Sequence, residues 1–119
     1  MTIKLKHDLI VTIVNKGRSE RIVKASKAAG AEGGTILFAR GTGVRETKTL
    51  FGIPVEPEKE MVLTIVPEAI SDEVLEAIVK AGDLRTPGAG IAFVLPLKSV
   101  AGICHLEPDV VSPDNVVCD

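Results

Sequence analysis

The chain contains Asp8-Leu9-Ile10-Val11-Thr12-Ile13-Val14 and, in its second half, Glu60-Met61-Val62-Leu63-Thr64-Ile65-Val66. Both stretches are rich in β-branched side chains and end on the same three residue types, which is typical of β-strands. Apolar residues occupy both odd and even positions, whereas an antiparallel strand with one face in water should alternate. The repeat therefore predicts two equivalent strands, each apolar on both faces, and divides the 119 residues into two similar halves.

Each of these strands is followed by a helix and then by a second apolar strand. The spacing of apolar side chains predicts helices over 20–29 and 72–81, and β-rich runs predict strands over 35–39 and 91–95. The order is βαββαβ, an α+β, ferredoxin-like arrangement with an antiparallel sheet and two helices on one face. We expect one domain over residues 1–106.

Local signals are expected to set the helix ends. Ser19 and Ser71 are the predicted N-caps, because a serine oxygen accepts hydrogen bonds from the first helical turn. Gly30 and Gly82 are the predicted stops, because glycine readily adopts the conformation that ends a helix.

A long connection over residues 41–59 joins the two halves. Loops of this length without regular structure are usually functional or mobile. Its apolar segment, residues 51–55, has two open interpretations: a short extra strand or local plug, or a contact for a partner. Further on, residues 97–104 are expected to form a short edge strand, and the tail 107–119 to fray or wrap a neighbour.

The two-sided apolar strands also bear on assembly. Leu9, Val11 and Ile13 would lie on one face of the first strand, opposite Ile10 and Val14. Two helices can cover only one face of the sheet, and a large exposed apolar face would favour aggregation. We therefore expect identical copies of the chain to cover the other face in a closed symmetric assembly.

Two glycine-rich turns occupy equivalent places beside the second strand of each half, at Arg40-Gly41-Thr42-Gly43 and at Thr86-Pro87-Gly88-Ala89-Gly90. Glycines one residue apart let a ligand such as phosphate approach the backbone N–H groups. Either turn alone is explained as well by a tight turn without a ligand. Their paired placement favours binding.

Composition narrows the function classes. A net charge of −2 and only three aromatic residues argue against a nucleic-acid surface. No apolar run is long enough for a membrane span, and no signal peptide is recognisable, so a cytoplasmic location is expected. Cys104 and Cys118 lack metal-site spacing, so no metal site is predicted. No motif pairs a nucleophile with a base, so the chain is not expected to be an enzyme.

This succession of strands, helices and glycine turns resembles the P-II signal-transduction proteins, most closely divergent P-II-like members with a shortened loop. The resemblance spans about residues 8–104 and implies a homotrimer whose sheets face inward. It also implies an adenine nucleotide (ATP, ADP or AMP) in each cleft between subunits. The residues it assigns to that site are Thr35, Gly41, Thr42, Gly43, Ile65, Gly88, Ala89 and Gly90.

The chain departs from the family pattern in its charged residues. Ile91 stands where the family usually has a lysine, and Gly102 and Cys104 stand in place of two arginines. Residues 44–45 replace the usual arginine and glutamine, and the loop has no tyrosine to modify. Replacement charge is expected from Arg45 and Arg85, beside the glycine turns, and secondarily from Arg40 and Lys98, because guanidinium groups suit phosphates.

The predicted function is a non-enzymatic regulator that binds an adenine nucleotide between subunits and controls a transporter or metabolic enzyme through the 41–59 loop. A cyclic dinucleotide is a further ligand to consider. The first alternative is another ferredoxin-like sensor, either an amino-acid-binding regulatory domain or a metal-tolerance trimer. A third is a small hydrolase of the acylphosphatase kind, for which Asn15 and Asn115 are not well placed.

Overall fold

The computed structural model of the chain describes residues 6–42, 48–55, 57–103 and 116–117. A single 3₁₀ turn, Glu68–Ile70, leads into the second helix. In chain order the elements are β1 (His7–Asn15), α1 (Ser19–Ala28), β2 (Thr35–Arg40), β3 (Lys48–Leu50), β4 (Ile53–Val55), β5 (Glu58–Pro67), α2 (Ser71–Gly82), β6 (Gly90–Pro96), β7 (Val100–Ala101) and β8 (Val116–Val117).

Four of these strands form one antiparallel sheet in the order β2-β5-β1-β6. The repeated strands β1 and β5 are its central pair, with Ile10 opposite Thr64. The helices α1 and α2 pack against each other and against one face of the sheet. This is the ferredoxin-like arrangement predicted from the sequence, and that prediction is confirmed.

The core lies between the helices and the even-numbered positions of the central strands. Ile10 and Val62 from the sheet are fully buried, as are Ile22 of α1 and Val74 and Ile78 of α2. Burying each such side chain contributes roughly 1.5–3 kcal/mol. The helical spacing that predicts α1 and α2 is therefore the spacing that fills this core.

The opposite face of the sheet, called here the open face, is lined with apolar side chains, and neither α1 nor α2, the two α-helices of the described residues, packs over it. In register across β5, β1 and β6 lie the rows Ile65–Leu9–Leu95, Leu63–Val11–Phe93 and Met61–Ile13–Ile91. Leu37 on β2 extends the last row. Ile91 is 55% exposed and Leu95 46% exposed, so the open face is apolar and partly bare in a single chain.

The helix ends differ from the local expectation. Ser19 and Ser71 are the first residues of α1 and α2 rather than their caps, and neither helix has a side-chain cap from the residue preceding it. Gly82 belongs to α2, and Asp83 takes the left-handed closing conformation instead. Gly30, just after α1, does have a positive φ of 118°.

The long connection contains regular structure, which the sequence analysis left open. Strands β3 and β4 pair as a hairpin around residues 51–52, so of the two interpretations of the apolar segment the extra strand is present. Strand β5 begins at Glu58, two residues before its predicted start.

Near the C-terminus, β7 pairs in parallel with β8 of the tail and does not extend the main sheet. The short edge strand predicted over 97–104 is therefore present only at residues 100–101 of the described part, and it does not lie at the edge of the main sheet. Apart from Val116 and Val117, the tail 107–119 lies outside the described residues, as do Cys104 and Cys118.

Candidate functional site

The first glycine turn leaves the sheet at the end of β2. The Gly41 N–H donates to the Pro57 carbonyl oxygen at 3.2 Å, which ties the start of the long connection to its end. Thr42 beyond it is exposed. Gly43 and Arg45, also assigned to the site from the sequence, lie outside the described residues.

A cavity of about 510 Å³ opens beside this turn, where β1 and β2 end and β5 begins. Three cations and one carboxylate contribute to it, together with an exposed aromatic ring: Lys16, Phe38, Ala39, Arg40, Glu58 and Lys59 form its lining. The excess of positive charge suits an anionic ligand.

Two of the cations have partners that fix their positions. Lys16 Nζ lies 2.8 Å from Glu58 Oε2, and this hydrogen bond raises the pKa of Lys16 and lowers the pKa of Glu58. Lys59 Nζ donates to Asn15 Oδ1 at 2.6 Å. Arg40 lowers the pKa of Glu58 further through its charge, but no salt bridge joins it to a residue in the described part of the chain.

A second cavity, of about 270 Å³, lies between the start of β2 and the end of β5. Thr35 and Ile65, which the family resemblance assigns to the base or ribose of a nucleotide, both line it, with Leu63 and Pro67 beside them. Its wall combines apolar side chains with the Thr35 hydroxyl, the glycines that precede β2 and two ionisable residues, His7 and Glu32. Apolar side chains beside a few polar groups suit the flat face and polar edge of a ring.

The three residues of the second glycine turn, Gly88, Ala89 and Gly90, have different environments. Gly88 has a φ of +85°, a Cβ added there would meet no atom within 4 Å, and its N–H has no acceptor in the described ranges. The Ala89 N–H already donates to the Thr86 carbonyl oxygen at 3.1 Å. At Gly90, an added Cβ would lie 2.5 Å from the Ile13 carbonyl oxygen, so this glycine is required by strand packing. Gly88 is therefore the member most open to a ligand.

Arg85, predicted to neutralise phosphate, is held by another side chain. Its Nη2 atom donates to both carboxylate oxygens of Glu76, at 3.0 and 3.1 Å. Both side chains are substantially exposed. Arg85 would have to leave Glu76 to reach a phosphate, and an exposed ion pair of this kind costs little to break.

The two halves of the predicted site do not meet within one chain. Thr35 lies on β2 and Gly90 on β6, at opposite edges of the four-stranded sheet. Three inter-strand spacings separate these edges, roughly 14 Å. A small ligand that contacts both groups therefore needs the β2 edge of one copy and the β6 edge of another.

Sequence reasoning missed several residues near the first turn. Lys16 directly follows β1 and Lys59 lies in β5, so only the strand register brings them together at the larger cavity. Glu60 was missed as well: its buried carboxylate accepts the N–H groups of Gly17 at 2.8 Å and Ser19 at 3.1 Å. The hydrogen bond from the Ser19 N–H is the main reason why the pKa of Glu60 lies below its ordinary value.

Within the described residues, no group of three or more His, Cys, Asp and Glu side chains is arranged to hold a metal ion. None of the helices in those ranges combines the length and hydrophobicity that crossing a bilayer requires.

Comparison with known proteins places the chain in a class of regulators. The family model described as Nitrogen regulatory protein P-II matches residues 7–105, which is most of the chain. The chain therefore belongs to the P-II family, whose members are signal-transduction regulators rather than enzymes. No match was found among curated proteins.

Two solved structures share the fold. A Bacillus cereus protein related to NIF3 matches with a TM-score of 0.63 and 22% identity, over 80% of this chain but only 26% of that one. Arabidopsis thaliana PII, in a structure bound to citrate, matches with a TM-score of 0.65 and 22% identity, over 82% of this chain and 83% of that one. The chain thus spans about a quarter of the Bacillus protein and most of the Arabidopsis one.

Proposed function

We propose that the chain forms a homotrimer, binds an adenine nucleotide in the clefts between subunits, and thereby controls a partner transporter or metabolic enzyme. Membership of the P-II family supports the regulatory class. The observation that carries the finer proposal is that Thr35 lies on β2 and the Gly88 turn leads into β6, at opposite edges of the sheet, which leaves the proposed site incomplete in one chain.

The open face supports the assembly. Its rows of leucine, isoleucine, valine and phenylalanine are partly exposed in the single chain, and a second copy is the economical cover for a self-complementary apolar face. Sheets that face inward about a threefold axis would bring the β2 edge of one subunit beside the β6 edge of the next. The cavity at Thr35 and Ile65 would then face Gly88 of the neighbour.

In this arrangement different residues of the cleft bind the base and the phosphates. The cavity at Thr35 and Ile65 receives the base. The Gly88 N–H and the Arg40 guanidinium meet the phosphates, since charge-assisted contacts to guanidinium and backbone N–H groups are the strong ones. Gly41 and Thr42, at the base of the long connection, would sense the ligand and change the order of that connection. Such a change acts only through contacts that differ between the ligand-bound and free states.

Titration calorimetry with ATP, ADP, AMP and a cyclic dinucleotide tests the ligand. Citrate belongs in the same series, because the Arabidopsis PII structure contains it and the cavity at Lys16 and Arg40 is cationic. We expect a nucleotide to bind with one site per chain. If none of the nucleotides binds, the nucleotide proposal fails and an amino-acid or metal sensor on the same fold becomes the better hypothesis.

The Gly88→Val variant tests the second glycine turn. A side chain at this position should block phosphate approach and abolish nucleotide binding, while the assembly stays intact. Gly17→Val is the matched control, because Gly17 also has a positive φ, of 93°, and open space around its Cα. Retained affinity in Gly88→Val, or equal loss in both variants, would remove Gly88 from the site.

A further inference from the structure

Arg85 is the one cationic residue in the segment that carries the second glycine turn. No other Lys or Arg occurs between Lys80 and Lys98, so it is the only local positive charge for an anion at Gly88. Its side chain is 68% exposed. It lies three residues before Gly88, whose N–H has no acceptor in the described ranges. A guanidinium and an unused backbone N–H therefore share one short turn.

Hydrogen bonds within the turn hold the backbone around Arg85 in place. The Thr86 N–H donates to the Asp83 carbonyl oxygen at 3.0 Å, and the Ala89 N–H donates to the Thr86 carbonyl oxygen at 3.1 Å. The Thr86 hydroxyl also donates to Asp83 Oδ2 at 2.8 Å, so this neighbouring carboxylate already has a partner. Because the backbone is preorganised, binding an anion here requires only the Arg85 side chain to move, which lowers the entropy lost.

Glu76 of α2 contacts the guanidinium in a way that leaves most of its donors unused. Arg85 Nη2 alone donates to both carboxylate oxygens, at 3.0 and 3.1 Å, whereas the strongest pairs of arginine with carboxylate or phosphate use two nitrogens in parallel. The other guanidinium nitrogens have no acceptor in the described part of the chain. A phosphate that engages two nitrogens and carries more negative charge would therefore displace the Glu76 carboxylate.

We propose that Glu76 is a positioning residue for Arg85: it holds the guanidinium when no phosphate is present and competes with a bound phosphate for it. Arg85 and the Gly88 N–H then bind that phosphate together. The inference rests on the proposed nucleotide site and adds Arg85 and Glu76 to its phosphate-binding part. A ligand without a phosphate in reach of Arg85 binds with the ion pair intact, so Glu76 sets how strongly affinity depends on the phosphate.

A double-mutant cycle, measured by titration calorimetry at low salt where charge effects are least screened, tests the pair. The full-length wild type, Glu76→Gln, Arg85→Ala and the double variant are each titrated with ATP, pyrophosphate and adenosine. Pyrophosphate probes the turn without a base, and adenosine probes the base cavity without a phosphate. Glu73→Gln is the matched control, because Glu73 is an exposed carboxylate on the same helix and its loss changes the net charge equally.

Removing the Glu76 charge should release Arg85 and tighten the binding of phosphate ligands. An exposed ion pair shifts an equilibrium by up to about fivefold, so Glu76→Gln should bind ATP and pyrophosphate about three- to fivefold more tightly. Arg85→Ala should weaken both ligands by about tenfold. Adding Glu76→Gln to Arg85→Ala should change these affinities by less than about twofold, as should Glu73→Gln alone. Adenosine affinity should stay within about twofold in every variant.

Two results would overturn the inference: Glu76→Gln that behaves like Glu73→Gln, or equal tightening by Glu76→Gln with and without Arg85, because a general charge effect does not need the guanidinium. Pyrophosphate keeps the two proposals distinct. If the wild type binds no ATP, but Arg85-dependent pyrophosphate binding tightens in Glu76→Gln, only the nucleotide proposal fails. If ATP binds and Glu76→Gln leaves its affinity unchanged, only the role of Glu76 fails. If neither ligand binds, both proposals fail.

Discussion

Thr12 and Thr64 are the two polar side chains at the centre of the helix-facing side of the sheet. Both are fully buried, and their Oγ1 atoms have no hydrogen-bond partner among the described residues. A buried hydroxyl without a partner has lost its hydrogen bonds to water without replacement, which costs about 1–3 kcal/mol. These two positions therefore limit the stability of an otherwise apolar core.

Replacing either hydroxyl with a methyl should stabilise the fold. Thr12→Val and Thr64→Val keep the β-branched shape and are each expected to raise the free energy of unfolding by about 1 kcal/mol, measured by urea denaturation. The control Thr12→Ser keeps the hydroxyl and loses the methyl, so it should destabilise. If Thr12→Val unfolds more easily than wild type, its hydroxyl makes a stabilising hydrogen bond and the account of this core is wrong.

Single residues also mark where prediction from the sequence stops. Gly90 was expected to offer its N–H to phosphate, yet its missing side chain is explained by the Ile13 carbonyl oxygen across the strand pair. Arg85 was expected at a phosphate, yet Glu76 holds it. In both cases the contact that occupies the residue within one chain is made by another element, which the local sequence does not show.

At the scale of elements, the start of α1 depends on a strand that is distant in sequence. Glu60 of β5 accepts hydrogen bonds from the Gly17 and Ser19 N–H groups, which have no acceptor of their own at a helix start. A carboxylate there also interacts favourably with the helix dipole. Residue 60 thus does what Ser19 was predicted to do, and only the fold brings it to that place.

The Glu60→Gln variant should loosen this junction and lose about 1–2 kcal/mol of unfolding free energy at neutral pH, since it removes the charge from a helix cap. Because the pKa of Glu60 is lowered in the folded chain, its contribution is fully present above the unfolded pKa of about 4.3. It is lost as the pH falls through the lower folded value. Urea denaturation at a series of pH values should therefore show that the unfolding free energies of the variant and the wild type become equal in acid.

Glu58→Gln is the control on the same strand, because its partner Lys16 is exposed and exposed pairs contribute little. Its unfolding midpoint should stay close to wild type. A constant difference between Glu60→Gln and wild type at every pH would show that the carboxylate charge does not stabilise the helix.

Most elements were predictable because their signals are local. The two-sided pattern of β1 and β5 and the helical spacing of α1 and α2 located these elements to within about two residues, which is good for element ends. The sequence analysis did not decide whether the long connection contains a strand, because a segment as short and apolar as residues 51–55 fits a strand and a local plug equally well. The pairing of β7 with β8 was missed, since a parallel contact between distant segments leaves no local signal.

At the scale of the whole molecule, the central claim is that identical subunits share the open face. The sequence could predict the apolar character of this face, because alternation is absent from the strands themselves. It could not predict which residues of the site would be separated. That follows from the strand order, which places Thr35 and Gly90 at opposite edges.

A charge in the middle of the open face should dissociate the assembly. Phe93 lies opposite Val11 and is 39% exposed in the single chain, so Phe93→Asp is compatible with a folded subunit but not with an apolar interface. Circular dichroism should show retained secondary structure, while nucleotide affinity is lost with the clefts. The control Ala28→Asp, on the exposed surface of α1, should change neither the assembly nor the nucleotide affinity. A Phe93→Asp chain that stays assembled would mean that the open face is not the interface.

The mass of the wild-type protein in dilute solution is the most direct test. Sedimentation equilibrium at low micromolar concentration should give three times the 12.5 kDa chain mass, because the open face requires cover and the site requires two sheet edges. A well-behaved particle of 12.5 kDa under the same conditions would contradict the shared sheet, and the intersubunit site would fall with it.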